Sequence, residues 1–295
     1  MNAFTIKDLE NLSGVKAHTI RIWEQRYSFL KPRRSKTNIR YYCNDELKTV
    51  LNIALLNKYG YRISQIDKMS ETELREKIHS LGELQACQER LLTDLLHHMI
   101  DMDMDRFENV LDDFIRQKGI DKTIQFLLFP FLEKVGILWQ TNHIQAAQEH
   151  LVSNIIRQKL IVGIEGATSP FTIKKTILLF LPEGEHHELG LLFLQYQLKA
   201  RGANVLYLGS DLPLEDLVFV ASAKKPDYLF THLTCNPGKF NFEKFLYQLR
   251  DQLPHVPVII SGQLAQHYSR KVPQQVELKK SIGEVLEFIN RLEKE

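Results

Sequence analysis

The spacing of apolar residues changes character twice along the chain. Residues 1–75 read as short helices broken by turns. Ile6–Leu12 predicts a helix that the Thr5 side chain can cap, and Ser13-Gly14-Val15 predicts a tight turn. A second helix follows over Ala17–Tyr27, with Ile20 and Trp23 available for a core. Two short helices joined by a Gly-containing turn make a helix-turn-helix. Leu30–Tyr42 is polar, basic and carries a proline, which suits a β-ribbon. Asp45–Tyr59 is helical again, Gly60 stops it, and Ser64–Met69 begins another helical turn.

Between about 76 and 165 the apolar residues recur at i, i+3, i+4 and i+7, the period of a helix. Four such segments, 72–103, 105–119, 120–140 and 144–165, predict a four-helix bundle. Beyond about 172 the pattern alternates. Apolar runs at 174–182, 203–209, 227–233, 256–262 and 276–280 read as strands, and amphipathic stretches at 187–202, 213–225, 241–254 and 281–295 as helices. That alternation predicts βαβ units and a parallel sheet. The expected domains are a winged helix-turn-helix over 1–75, a four-helix bundle over 76–168 and a flavodoxin-like, Rossmann-type five-stranded domain over 169–295.

Composition narrows the setting. The 295 residues are 44% hydrophobic and 25% charged, with a net charge of only +2. The charge is unevenly placed: residues 1–50 hold ten Lys and Arg against five Asp and Glu, an excess that a phosphate backbone rewards. Cys43, Cys87 and Cys235 are widely spaced and form no CxxC pair, so neither a disulfide framework nor a cysteine zinc site is expected. The first ten residues lack the apolar stretch of a signal peptide, and no apolar run reaches the ~18 residues of a membrane span. A cytoplasmic protein is expected.

On the second helix, Thr19, Arg21, Glu24 and Arg26 are left for an outer face or for ion pairs. Arg40 and Tyr42, two apart, would share one face of a strand. Charge alone also allows a merely solvated basic surface. The order of elements says more. Ala17-His18-Thr19-Ile20-Arg21-Ile22-Trp23-Glu24-Gln25-Arg26-Tyr27, then Asn38-Ile39-Arg40-Tyr41-Tyr42, resembles the MerR family over roughly residues 4–70. The resemblance implies binding to double-stranded operator DNA, with Thr19, Arg21, Trp23, Arg26, Arg33, Arg40 and Tyr42 as candidate contacts.

Glu185-His186-His187-Glu188-Leu189-Gly190 follows the first strand of the α/β region. Loops at the carboxyl ends of such strands bind ligands, an imidazole can ligate a metal, and a nearby carboxylate can orient it. Two histidines opening a surface helix is the plainer alternative. E-x-H-x-x-G resembles the motif of cobalamin-binding domains, which take the cofactor's nucleotide arm into the sheet and ligate cobalt with the histidine. By that resemblance His187 is the cobalt ligand, Glu185 its partner, and Gly190, Ser210, Asp211, Thr231, Leu233, Ser261 and Gly262 line the cofactor site. Trp139, followed after nine residues by Glu149-His150, has the spacing seen in CarH-type photoreceptor repressors, where these groups cover the upper face of adenosylcobalamin. A core tryptophan with a surface Glu-His pair is the alternative there. Gln140 stands where that family's light product uses a histidine, and His143 is the nearest imidazole after it.

The expected protein is therefore not an enzyme. It is a homo-oligomeric (dimer or tetramer) repressor controlled by cobalamin, with light acting on adenosylcobalamin as the implied trigger. A ligand-independent regulator whose cobalamin-like domain serves only oligomerisation is the rival.

Overall fold

A computed structural model describes the chain apart from residues 1–3, 35–37, 82–83, 141–143, 235–239 and 293–295. It divides into two compact units, 1–155 and 156–295.

The first unit opens with α1 (Ile6–Ser13), fixed at both ends by its own sequence. Thr5 and Asp8 form a reciprocal capping box, with the Thr5 amide donating to Asp8 Oδ2 at 2.6 Å, and Gly14 closes the helix at φ 73°. α2 (Ala17–Arg26) buries Ile20 and Trp23. β1 (Arg33–Arg34) and β2 (Arg40–Tyr41) form a two-stranded antiparallel wing. Phe4 and Tyr42 exchange two backbone hydrogen bonds of 2.9 Å, so the start of the chain is laced to the end of the wing. α3 (Asn44–Lys58), α4 (Ile63–Ile66) and α5 (Glu71–His79) complete this head.

The helical part comprises α6 (Leu84–Asp101), α7 (Met104–Thr123), a π-helical turn (Ile124–Leu128), α8 (Phe129–Gln140) and α9 (Ala146–Gly166). The pattern over 72–103 predicts one helix; the structure has two, because Ser80 ends α5. Gly119 at φ 80° breaks the helical backbone inside α7. Leu95, Met99, Phe107, Leu111, Leu127, Phe131 and Val152 form a buried core, with the Phe107 and Phe131 rings 5.3 Å apart. The boundary between the two units falls within α9.

The second unit is a five-stranded parallel sheet in which its first strand lies between the second and the third, with the fourth and fifth following beyond the third. In chain order it runs β3 (Ile173–Leu179), α10 (Leu189–Ala200), β4 (Ala203–Tyr207), α11 (Leu214–Lys224), β5 (Tyr228–His232), α12 (Phe242–Gln252), β6 (Val258–Ser261), α13 (Gln263–His267), β7 (Val276–Leu278) and α14 (Ile282–Leu292). This is the expected doubly wound, flavodoxin-like order. Leu178, Phe180, Leu229, Leu233, Val258 and Ile260 pack on one face with Leu217 of α11 and Phe245, Leu246 and Leu249 of α12. On the other face Tyr228 and Phe230 meet Phe288 of α14 edge-on, at 5.3 and 5.8 Å. α10 starts at Leu189, so His186 and His187 lie in the loop before it rather than in its first turn. The short α13 has too few apolar positions to show a period in the sequence. No helix among the described residues is long and apolar enough to cross a membrane.

Candidate functional site

On α2, His18, Arg21 and Gln25 are all exposed, and their i, i+3, i+7 spacing lines them along one stripe. Arg26 is exposed and Thr19 half-buried. Arg33 and Arg34 stand exposed on β1, and Arg34 Nη1 donates to Asn38 Oδ1 at 2.7 Å. His18, Gln25 and Arg34 are not among the contacts that the resemblance supplies; the helical period indicates the first two.

Two expected DNA contacts are corrected. Trp23 is buried and sits edge-on to Phe29 with ring centroids 6.1 Å apart. Tyr42 is wholly buried and its hydroxyl donates to Glu24 Oε1. Neither ring has a surface to offer a phosphate or a base. Burial, together with the Glu24 carboxylate, pushes the Tyr42 hydroxyl well above its ordinary pKa. Arg40 Nε donates to the other oxygen of the same carboxylate at 2.9 Å. One carboxylate on α2 therefore holds two residues of the wing.

In the second unit, the loop after β3 places Glu185 almost fully inside, 1% exposed. Glu185 Oε1 accepts from the His187 amide at 3.0 Å and lies 2.6 Å from His187 Nδ1, and Oε2 accepts from the Thr234 amide at 3.3 Å. A carboxylate only accepts, so the proton of a neutral His187 sits on Nδ1 and Nε2 carries the lone pair. The His187 side chain is 56% exposed. The β4–α11 turn braces this loop: Asp211 Oδ1 accepts from the Gly184 amide at 2.8 Å, and the Asp211 amide donates to the Glu185 carbonyl at 3.1 Å. Ser210 is half-buried in the same turn.

The remaining candidates divide between the two faces of the sheet. Ser261 is buried, with Oγ 2.9 Å from His232 Nδ1. His232 lies against Gly190, where a Cβ would fall 2.1 Å from the imidazole Cδ2. Burial pushes the His232 imidazole down to about 4, against the opposing pull of the Glu185 charge, so it is neutral at pH 7. Thr231 and Leu233 are corrected. Side chains alternate along a strand, which turns both away from Gly190 and Ser261, and Leu233 packs in the α11–α12 core. A slip of one residue in reading β5 exchanges the two faces. Thr231 Oγ1 is buried without a hydrogen-bond partner among the described residues. Gly262 is required by the backbone itself: φ is 96°, and a Cβ would meet the Leu233 carbonyl oxygen at 2.4 Å. Glu188, beside the motif, accepts from the Tyr207 hydroxyl and pairs with Arg157, both at 3.4 Å.

In the first unit, Trp139 ends α8 with 49% of its surface exposed. Glu149 Oε2 lies 2.9 Å from His150 Nδ1, and Oε1 accepts from Ser153 Oγ. The Gln140 side chain and His143 lie outside the described residues.

No group of three or more His, Cys, Asp and Glu among the described residues could hold a bare metal ion. A single imidazole oriented by a buried carboxylate fits a metal that arrives already held in a macrocycle, as cobalt does in cobalamin. When bound, such a group would supply a light-sensitive and ligand-exchanging cobalt centre; His187 would hold it and Glu185 would fix the ring that does so.

The chain is similar to several known proteins. Residues 4–73 match the MerR HTH family of regulatory proteins. Residues 91–162 match a B12 binding domain, and these are the helices that carry Trp139, Glu149 and His150. The HTH-type transcriptional repressor CarH of Myxococcus xanthus is 29% identical over 272 residues, covering 90% of each chain. The HTH-type transcriptional repressor CarA of the same organism is 28% identical over 270 residues, covering 90% of this chain and 89% of its own. Among solved structures, a monomethylamine corrinoid protein of Methanosarcina barkeri is 16% identical with a TM-score of 0.49, covering 59% of this chain and 85% of its own.

Proposed function

From a chain that joins a MerR-type helix-turn-helix to a B12-binding domain, we propose a cytoplasmic transcriptional repressor whose hold on operator DNA is set by cobalamin. It is a regulator rather than an enzyme, and it acts as a homo-oligomer that presents several winged heads to one operator. The observation that carries this reading is the Glu185–His187 pair, a buried acid aiming one exposed imidazole. In the DNA-binding role, Arg21, Arg26 and Arg33 contact the duplex, while Arg40 positions the wing. Thr19 flanks that surface.

The proposed route from cofactor to DNA runs along α8. Trp139 is at its end, and Lys134, one and a half turns earlier, donates from Nζ to the Leu12 carbonyl at the end of α1 at 3.0 Å. Burial holds the Lys134 amine below its ordinary pKa. Lys48–Asp101 and Lys58–Glu89 pairs join α3 to α6. A head fastened this way follows a displacement of α8 instead of absorbing it. Two ligands that bias one such element are thermodynamically coupled.

The test loads purified protein with adenosylcobalamin in the dark and follows oligomer size and binding to a selected duplex, before and after illumination. Cobalamin-dependent DNA binding supports the reading; a light-driven loss adds the trigger. Unchanged DNA binding with no cobalamin spectrum would instead favour the ligand-independent regulator.

A further inference from the structure

We propose that His232 is a specificity residue of the cobalamin site, one that closes the sheet to the cofactor's nucleotide arm. The inference rests on the functional reading above. Cobalamin carries a benzimidazole on that arm, which occupies the lower cobalt position in the free cofactor. If His187 takes this position, the displaced base either stays in water or gains affinity by entering a slot near the ligating loop. The slot adjoining that loop lies between the start of α10 and the ends of β5 and β6, where Gly190 has no side chain. It is filled by the chain's own imidazole. A Cβ on Gly190 would be 2.1 Å from His232 Cδ2 and 2.6 Å from Nε2, closer than real atoms approach. The ring is pinned by Ser261 Oγ at 2.9 Å from Nδ1. It is held neutral by burial, so no charge penalty drives it out to water. A base entering this slot must first evict a ring of comparable thickness and break its bond to Ser261.

The chain should therefore bind the corrin ring without profit from the arm. The experiment titrates the full protein with cobalamin and with cobinamide, which lacks the benzimidazole, following the corrin absorbance and thermal unfolding. The wild type is expected to bind the two within about threefold. His232→Gly empties the slot and should raise the preference for cobalamin over cobinamide by tenfold or more. His232→Phe keeps a ring there without the Ser261 bond, and should retain the wild-type ratio; this separates plugging from loss of a hydrogen bond or of stability. A wild type that already prefers cobalamin strongly, with a ratio unmoved in His232→Gly, overturns the role of His232 and leaves the functional reading standing. Binding of neither corrinoid by any of the three proteins overturns both.

Discussion

Replacing Glu24 by Ala should destabilise the DNA-binding head more than the loss of any other charged side chain of α2. The carboxylate is 8% exposed and serves two donors, the Tyr42 hydroxyl and Arg40 Nε. Tyr42 has no exposed surface, so its hydroxyl would lose a charged acceptor without gaining water. A hydrogen bond to a charged group contributes about 1.5–3 kcal/mol, and an orphaned buried polar group costs a similar amount. The Arg40 arm is about a third exposed, 32%, and solvent screening leaves it well under ~1 kcal/mol. The sum is about 3 kcal/mol for Glu24→Ala. Glu24→Gln keeps a neutral acceptor and should cost about 1 kcal/mol. The assay is urea unfolding followed by Trp23 fluorescence. The chain has two tryptophans, so Trp139→Phe leaves Trp23 as the reporter of the head. In a double-mutant cycle, Glu24→Gln with Tyr42→Phe should show a coupling of at least ~0.5 kcal/mol, as contacting residues do. A Glu24→Ala protein within about 0.5 kcal/mol of its parent, or strict additivity in the cycle, would refute the carboxylate as the joint between wing and helix.

The same joint predicts how salt acts on DNA binding. Arg33→Ala should reduce the slope of log affinity against log salt by about 0.9, the value for one phosphate contact, whereas Arg40→Ala, whose charge is already met by Glu24, should leave it nearly unchanged; equal slopes for the two variants would contradict the assignment. A pH dependence follows from His97 of α6. Burial, with repulsion from Lys48 and His98 set against attraction to Asp101, holds this imidazole down to about 3, and its Nε2 has no hydrogen-bond partner among the described residues. Between pH 6.5 and 3 the unfolded chain takes up a proton there that the folded chain refuses, so stability falls as pH falls through this window and is intact above it. From pH 7 to pH 5 the loss should be about 2 kcal/mol, read from urea midpoints of the first unit, and His97→Leu should remove that part of the slope. A wild-type midpoint that does not fall with pH would contradict a buried neutral His97.

Much of this architecture is legible in the sequence because local chemistry specifies it. Thr5 and Asp8 start α1, Gly14 ends it, and Arg40-Tyr41 pairs with Arg33-Arg34 in the expected β-ribbon. The Glu185–His187 pair was equally readable, since two residues of loop suffice to bring the groups together. What escaped depends on contacts distant in the chain. Tyr42 looks like a surface phenol until its backbone is laced to Phe4, 38 residues away, and its hydroxyl to Glu24. Thr231 and Leu233 look like site residues until β5 is registered on β6, which turns His232 toward Ser261 instead. Glycine misled for the same reason: Gly190 and Gly262 are small because His232 and the Leu233 backbone need the room. An alternating pattern gives a strand but not which of its faces meets a ligand.

The proposed function stands or falls on His187 as the protein group that would hold a cobalt centre. Its most direct measurement is the absorption spectrum of protein reconstituted with adenosylcobalamin in the dark, wild type beside His187→Ala, with gel filtration to separate free cofactor. The wild type is expected to retain cobalamin in a spectrum characteristic of imidazole ligation, and His187→Ala to lose that signature together with most of its affinity. Identical spectra and retention in the two proteins would contradict it.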